Sequence, residues 1–353
     1  EQERAYADAL AVLLMDGPVK AQEAWETICS TWKRDPYAPL FYAMLLRDGF
    51  DGQGNPGEGQ KEAVRVVEAV LKEPGSQAAL FMRALLEEVA PSISPETVEI
   101  ARRAVAANPF SASAHHLLGH CLFRTGDYEG ASAAFKESEN LCLAWEKAEN
   151  VPPALDDAYF RSILYRAVSE FCAGHYKKAE AIASRAASVP LDKKHPLAPG
   201  TLLQLWEART LPARLMLARP VIPRQALVLK AFPGPLPKGF PDLSNGMTAV
   251  ATQYMGACYA ARQGRTDAVI TIPIDVLLDT FRVDMLAVGD FKTAVIVLRV
   301  ISAVLSGAAI VSGQFQRPSL LSDAVQRKRC AGAGETMQRS CKSAACNAPD
   351  NTQ

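Results

Sequence analysis

The sequence predicts an all-α array of about six to seven helical hairpins, wound as a right-handed solenoid. Three observations point there. Apolar residues recur at helical spacing through most of the chain. These patterns are punctuated at Asp35-Pro36, Glu73-Pro74 and Asn108-Pro109, at intervals of 38 and 35 residues. Later segments then repeat one spacing of small and aromatic residues. Proline disfavours helix for the residue before it and has no N–H to donate, so each pair ends a helix. Intervals of that size suit stacked helix–turn–helix units.

The elements follow in order. Glu3–Leu14 and Val19–Lys33 flank a turn at Gly17-Pro18. Tyr37–Arg47 and Gln60–Lys72 flank the loop Gly49–Gly59, and Val64, Val67 and Leu71 mark the apolar face of the second helix. Ser76–Val89 and Pro95–Ala107 flank Pro91-Ser92, with Ser94 as N-cap and Pro95 at the first helical position. Ala114–Glu139 holds the next pair, whose second helix is expected to reach about Glu149. Phe160–Ala187 holds another. A helix at Thr201–Leu217 precedes an extended, turn-rich connection, because Pro212, Pro220, Pro223, Pro233, Pro235, Pro237 and Pro241 crowd that region. Helices at Thr271–Leu286 and Phe291–Val311 complete the expectation. The organisation expected is repeats over 1–218, a Pro-rich connection over 219–246, further hairpins and a cap over 247–317, and a polar, loose tail over 318–353.

Ala114–Glu139, AHHLLGHCLFRTGDYEGASAAFKESE, resembles a tetratricopeptide repeat, whose pattern is W-x2-L-G-x2-Y followed by A-x3-F. Leu118-Gly119 stands at the Leu-Gly pair, and Ala131 and Phe135 stand at A-x3-F. His115 occupies the Trp position and Leu122 the Tyr position. Gly174, Tyr176 and Ala179 repeat the spacing of Gly126, Tyr128 and Ala131. Met255-Gly256, Tyr259 and Ala268 give a third set, with Ile272 where Phe belongs. The arrangement is similar to that of bacterial tetratricopeptide-repeat proteins of unassigned activity, over about Ser76–Val269. The resemblance implies a concave groove lined by the first helix of each hairpin. Its positions here would be Ser113, His116, His120, Phe123 and Arg124, then Arg161, Leu164, Val168, Phe171 and Cys172. It implies a non-catalytic scaffold for a peptide or protein partner. Packing against an adjacent helix is the competing role, above all for Phe123 and Phe171.

Composition narrows the function classes. The chain has 353 residues, 49% hydrophobic and 22% charged, which suits a folded core. Lys+Arg and Asp+Glu are both 38, which argues against a nucleic-acid binder that works by neutralising phosphates. The balance hides a gradient. Residues 1–150 hold 23 acids and 14 bases, so the remainder holds 15 and 24. Such a split can orient partners or simply mark solvated faces.

No cofactor is expected, and no catalytic motif is found. G-x-S-x-G and G-x-G-x-x-G are absent. The loop Gly49–Gly59 lacks G-x4-G-K-[ST], and read as a calcium loop from Asp51 it places Pro56 where Gly is required, so an ordinary long turn is expected. Asp156-Asp157 precedes an apolar helix and suits N-capping better than acid catalysis. Lys177-Lys178 reads as solvated charge. His116 and His120 lie four apart on one helix face and could ligate a transition metal, although the sequence supplies no third ligand. His115 points away from them. This metal-binding or metalloenzyme reading is the alternative to the scaffold.

Of eight cysteines, five (29, 121, 142, 172 and 258) sit in apolar helical patterns and read as small buried groups. Cys330, Cys341 and Cys346 lack zinc spacing. Thr293–Ser312 has about the length a membrane-spanning helix needs, but Arg299 interrupts it, leaving Val300–Gly313 free of charge. A buried helix is expected there, with a membrane-tethered assembly factor as a further alternative. The chain begins at Glu1 rather than Met, so a targeting segment ahead of it would not be seen. A bacterial cytoplasmic location is the expectation, with export left open.

Overall fold

A computed structural model describes residues 1–73, 76–221 and 223–242, with further scattered positions up to Tyr259. Among the described residues the protein is all-α and has no strand. Thirteen α-helices occur there: α1 (Gln2–Met15), α2 (Pro18–Thr31), α3 (Ala38–Leu46), α4 (Glu58–Leu71), α5 (Ala78–Glu88), α6 (Pro95–Ala107), α7 (Ala112–Arg124), α8 (Tyr128–Glu149), α9 (Asp157–Cys172), α10 (Tyr176–Ala187), α11 (Pro199–Leu203), α12 (Leu211–Ala218) and α13 (Gln225–Lys230). The chain divides into two compact units, with the boundary after Ser138 inside α8.

In the first unit every helix from α1 to α7 packs on the next, and α3 also meets α5 as α5 meets α7. The first helices of successive pairs therefore stand side by side. Alanines make this possible. Ala21, Ala38, Ala43, Ala63, Ala79 and Ala84 are fully buried at helix contacts, where a small side chain lets axes approach. Trp25, also fully buried, stacks on Phe41 with ring centroids 4.7 Å apart and meets the edge of Tyr6 at 4.9 Å. Val67 lies in the next cluster with Leu40 and Leu86, and Val64 and Leu71 pack against it, so the face read from the sequence is the buried one.

Local chemistry sets the boundaries. Ser94 accepts the Thr97 N–H at 3.0 Å and starts α6. Asp35 accepts the N–H groups of Tyr37 and Ala38 ahead of α3. The Gly49–Gly59 loop is an Asx-turn, in which Asp51 accepts the Gln53 and Asn55 N–H groups.

One turn occurs twice, 48 residues apart. Gly126 has φ +87° and Gly174 φ +82°, a left-handed conformation that L side chains resist. The following N–H reaches the carbonyl five residues back, Asp127 to Leu122 at 3.0 Å and His175 to Glu170 at 2.9 Å. The tyrosine after it packs on a phenylalanine, Tyr128 on Phe123 at 5.3 Å and Tyr176 on Phe171 at 5.0 Å. Ala131 and Ala179, at matching positions, are fully buried.

In the second unit α9 packs on α10 and α11, and α10 on α12. Asp156 caps α9 by accepting the Ala158 and Tyr159 N–H groups. The single helix expected over Thr201–Leu217 is broken. It runs as α11, then a π-turn at Gln204–Ala208, then α12. Pro212 has no N–H to continue the ladder, and Arg209 donates to Gln204 five residues back instead. Among the described residues the Pro-rich connection also holds α13, a helix that was not expected. Met255 and Tyr259 are buried with Ala213, Leu217 and Val228. The expected helices Thr271–Leu286 and Phe291–Val311, the apolar segment Thr293–Ser312 and the tail lie outside the described residues. Among the described residues no helix is long and apolar enough to cross a membrane.

Candidate functional site

The first candidate strip lies on α7, beside the end of α5. Ser113 is exposed, and His116 and Arg124 are half-buried. His120 and Phe123 are buried at 5% and 3% exposure. One helical turn separates the two histidines, so their rings converge. Their Nε2 atoms stand 3.0 Å apart, and their ring centroids 4.7 Å apart. The other ring nitrogen of His120, Nδ1, lies 3.0 Å from Glu88 Oε1 at the end of α5. A carboxylate, an imidazole and a second imidazole thus form one hydrogen-bonded row.

Burial pushes the Glu88 carboxyl up, but the His120 hydrogen bond and the charges of His120, Arg124 and Arg47 outweigh it and hold the carboxyl below its ordinary range. Arg124 donates to the backbone carbonyls of Glu88 and Ala90, closing the C-terminal end of α5. Phe135 lies beneath the row, 5.2 Å from His116 and 5.6 Å from His120. It reaches them because Gly119 has no side chain. A Cβ there would stand 2.7 Å from the Phe135 ring. His115 is separate, with Nε2 3.0 Å from the Pro109 carbonyl.

An open cavity of about 370 Å³ lies elsewhere in this unit. Its walls come from the N-terminal ends of α3, α5 and α7 and the C-terminal end of α6. Tyr37 and Phe81 supply aromatic surface, Ala78, Ala104 and Ala107 a small apolar floor, and Ser76, Asn108 and Ser111 polar groups.

The second candidate strip, on α9, is more deeply set. Arg161 is exposed and pairs with Asp157 at 2.9 Å. Leu164 and Val168 are buried at 3% and 2% exposure. Phe171 is half-buried against Tyr176, and Cys172 is half-buried. Beside it, Glu139 (2% exposed) receives Arg166 at 2.9 Å and Arg185 at 2.5 Å.

A carboxyl pair was missed from the sequence. Glu146 of α8 and Asp156 are 7% and 6% exposed, and an oxygen of each, Oε1 and Oδ2, is buried with no donor. Desolvation, then the neighbouring Asp156 carboxyl, raises Glu146 from 4.5 to about 7. Nearby, burial raises the Cys142 thiol to about 12, and likewise Cys121, so both are protonated at neutral pH.

Glu88 was missed as well. It reaches His120 from 32 residues away, through the packing of α5 on α7, and no local spacing encodes that. Among the described residues no group of three or more His, Cys, Asp or Glu could hold a metal ion. No protein-family model and no curated protein matches the chain.

Proposed function

We propose that the hairpins form a tetratricopeptide-like solenoid, and that the protein is a non-catalytic scaffold for an extended peptide segment of a protein partner. The observation that carries the binding reading is the cavity at the ends of α3, α5 and α7. Three successive first helices contribute to it, which is how a repeat array makes one surface from many short elements. Aromatic walls, an alanine floor and polar groups suit one or two apolar side chains of a peptide whose backbone needs hydrogen-bond partners. The exposed Ser113 and half-buried His116 and Arg124 extend the polar character along α7. Support for the repeat reading comes from the turn that recurs at Gly126 and Gly174, and from Gly119 and Phe135 meeting as the Leu-Gly and A-x3-F pattern requires.

The test is a displayed library of short random peptides selected on the immobilised full chain, with affinities then measured by fluorescence anisotropy. Tyr37→Ala removes an exposed aromatic wall, and Ala107→Arg fills an exposed part of the cavity. Each should weaken a selected peptide by about 30-fold, the scale of a hot-spot contact, with helicity unchanged. Failure to select any peptide, or unchanged affinity in both variants, would overturn the reading.

A further inference from the structure

We propose that the exposed face of α1 is an interface on which a second copy of this chain packs, antiparallel to the first. This does not depend on the peptide-binding reading, whose cavity is built from α3, α5, α6 and α7. α1 is apolar on two sides. Ala9 is buried, and Tyr6, Val12 and Leu13 pack into the cluster around Trp25 of α2. On the opposite side Ala7, Leu10, Ala11 and Leu14 recur at i, i+3, i+4 and i+7, which draws a second stripe along the helix. All four are exposed, Leu14 at 86%, and Met15 beside them at 85%. A surface helix ordinarily turns its polar face to water. An apolar stripe that repeats after seven residues is instead the pattern of a helix that packs on another helix.

The shape and charge of the stripe fit the stripe itself. With one copy reversed end to end about a midpoint between Leu10 and Ala11, Leu14 of each copy lies over Ala7 of the other. A large side chain then fills the space a small one leaves. Leu10 lies beside its own counterpart across the two-fold axis, an isologous contact that closes after two chains. Charge selects this direction. The start of α1 carries Glu1 and Glu3, and Lys20 follows its end, with its side chain 67% exposed. Antiparallel packing sets each acidic start beside the Lys20 of the other copy, and each positive helix N-terminus beside a negative C-terminus. Parallel packing would set Glu1 and Glu3 against their own counterparts. The 14 residues of α1 span about 21 Å, so two copies bury on the order of 1,000 Å2 in total. That is the low end of specific interfaces, so the dimer should dissociate on dilution.

The test is sedimentation of the full chain under reducing conditions, from about 1 to about 200 μM. The average mass should rise with concentration toward twice the 38.1 kDa of one chain. Leu14→Glu should weaken the dimer by about 30-fold, with helicity unchanged because Leu14 meets water in the single chain. Phe110→Glu, at an 83% exposed position between α6 and α7, should leave the dimer intact. Glu3→Lys should weaken it about 3- to 5-fold, and Lys20→Glu in the same chain should restore it. Cysteine variants read the direction. With oxidised glutathione as the oxidant, Leu10→Cys should link two chains by a disulfide above the wild-type background. Glu3→Cys should not, because the two copies of residue 3 stand about 22 Å apart in the antiparallel pair. A wild type that is monomeric at every concentration would overturn the proposal. So would a dimer that survives Leu14→Glu or is lost in Phe110→Glu, or linking through Glu3→Cys as readily as through Leu10→Cys.

Discussion

Replacing Glu146 by Gln should make the protein more stable above neutral pH and flatten part of its pH dependence. Glu146 titrates near 4.5 when solvated and at about 7 in the folded chain, because burial and Asp156 both oppose its charge. The folded state therefore keeps a proton between those two pH values that the unfolded state has lost. Stability must fall as pH rises through this window, and the penalty is complete above about pH 7. At about 1.36 kcal/mol per pKa unit the penalty reaches about 3 kcal/mol, and rearrangement of the protein around the new charge reduces the expectation to about 1–2 kcal/mol. Gln supplies an N–H to Asp156 Oδ2 without a titrating proton. Urea denaturation of wild type and Glu146→Gln at pH 5 and pH 8 measures the difference. Other titrating groups are common to both proteins and cancel. A variant no more stable than wild type at pH 8, or equal pH slopes in the two proteins, would refute the raised titration of Glu146.

Three other outcomes are expected. Gly119→Ala should lose about 1–3 kcal/mol, because its Cβ would stand 2.7 Å from the Phe135 ring; a melting temperature at or above wild type would contradict this, and Phe135→Leu in the same chain should recover part of the loss. Asp35→Ala should cost about 1–2 kcal/mol, since Asp35 accepts from Gln2 and Tyr6 as well as from the two N–H groups that start α3; denaturant midpoints would show it. Glu139→Ala should cost about 3 kcal/mol by leaving Arg166, only 15% exposed, beside an empty acceptor, whereas Arg185→Ala should cost less because Arg185 is 45% exposed; equal losses in chemical denaturation would argue against this ranking.

Short-range chemistry was legible in the residues themselves. Caps at Ser94 and Asp156, helix ends at Gly126 and Gly174 and the buried face of α4 depend on neighbours within one or two turns, and a periodic string records those. The length of α8, reaching Glu149, was legible instead from the 48-residue offset between the Gly126 and Gly174 turns. Pro212 could have been read as the break between α11 and α12 had its missing N–H been weighed against the apolar run around it.

Long-range pairings were not encoded that way. His116 and His120 share a face by helical arithmetic alone, but only the packing of α5 on α7 puts the Glu88 carboxylate behind them. The cavity between the ends of α3, α5, α6 and α7 draws on residues from Pro36 to Ala114, none of which carries a local signal. Glu146 and Asp156 look like ordinary surface acids in one dimension. Glu146 titrates high because the chain turns at Asn150, in a left-handed conformation, and buries it beside Asp156. Helical periodicity and capping act within a few residues and so determine the helices. Charge, desolvation and cavity shape depend on which helices meet, and tertiary packing alone decided those.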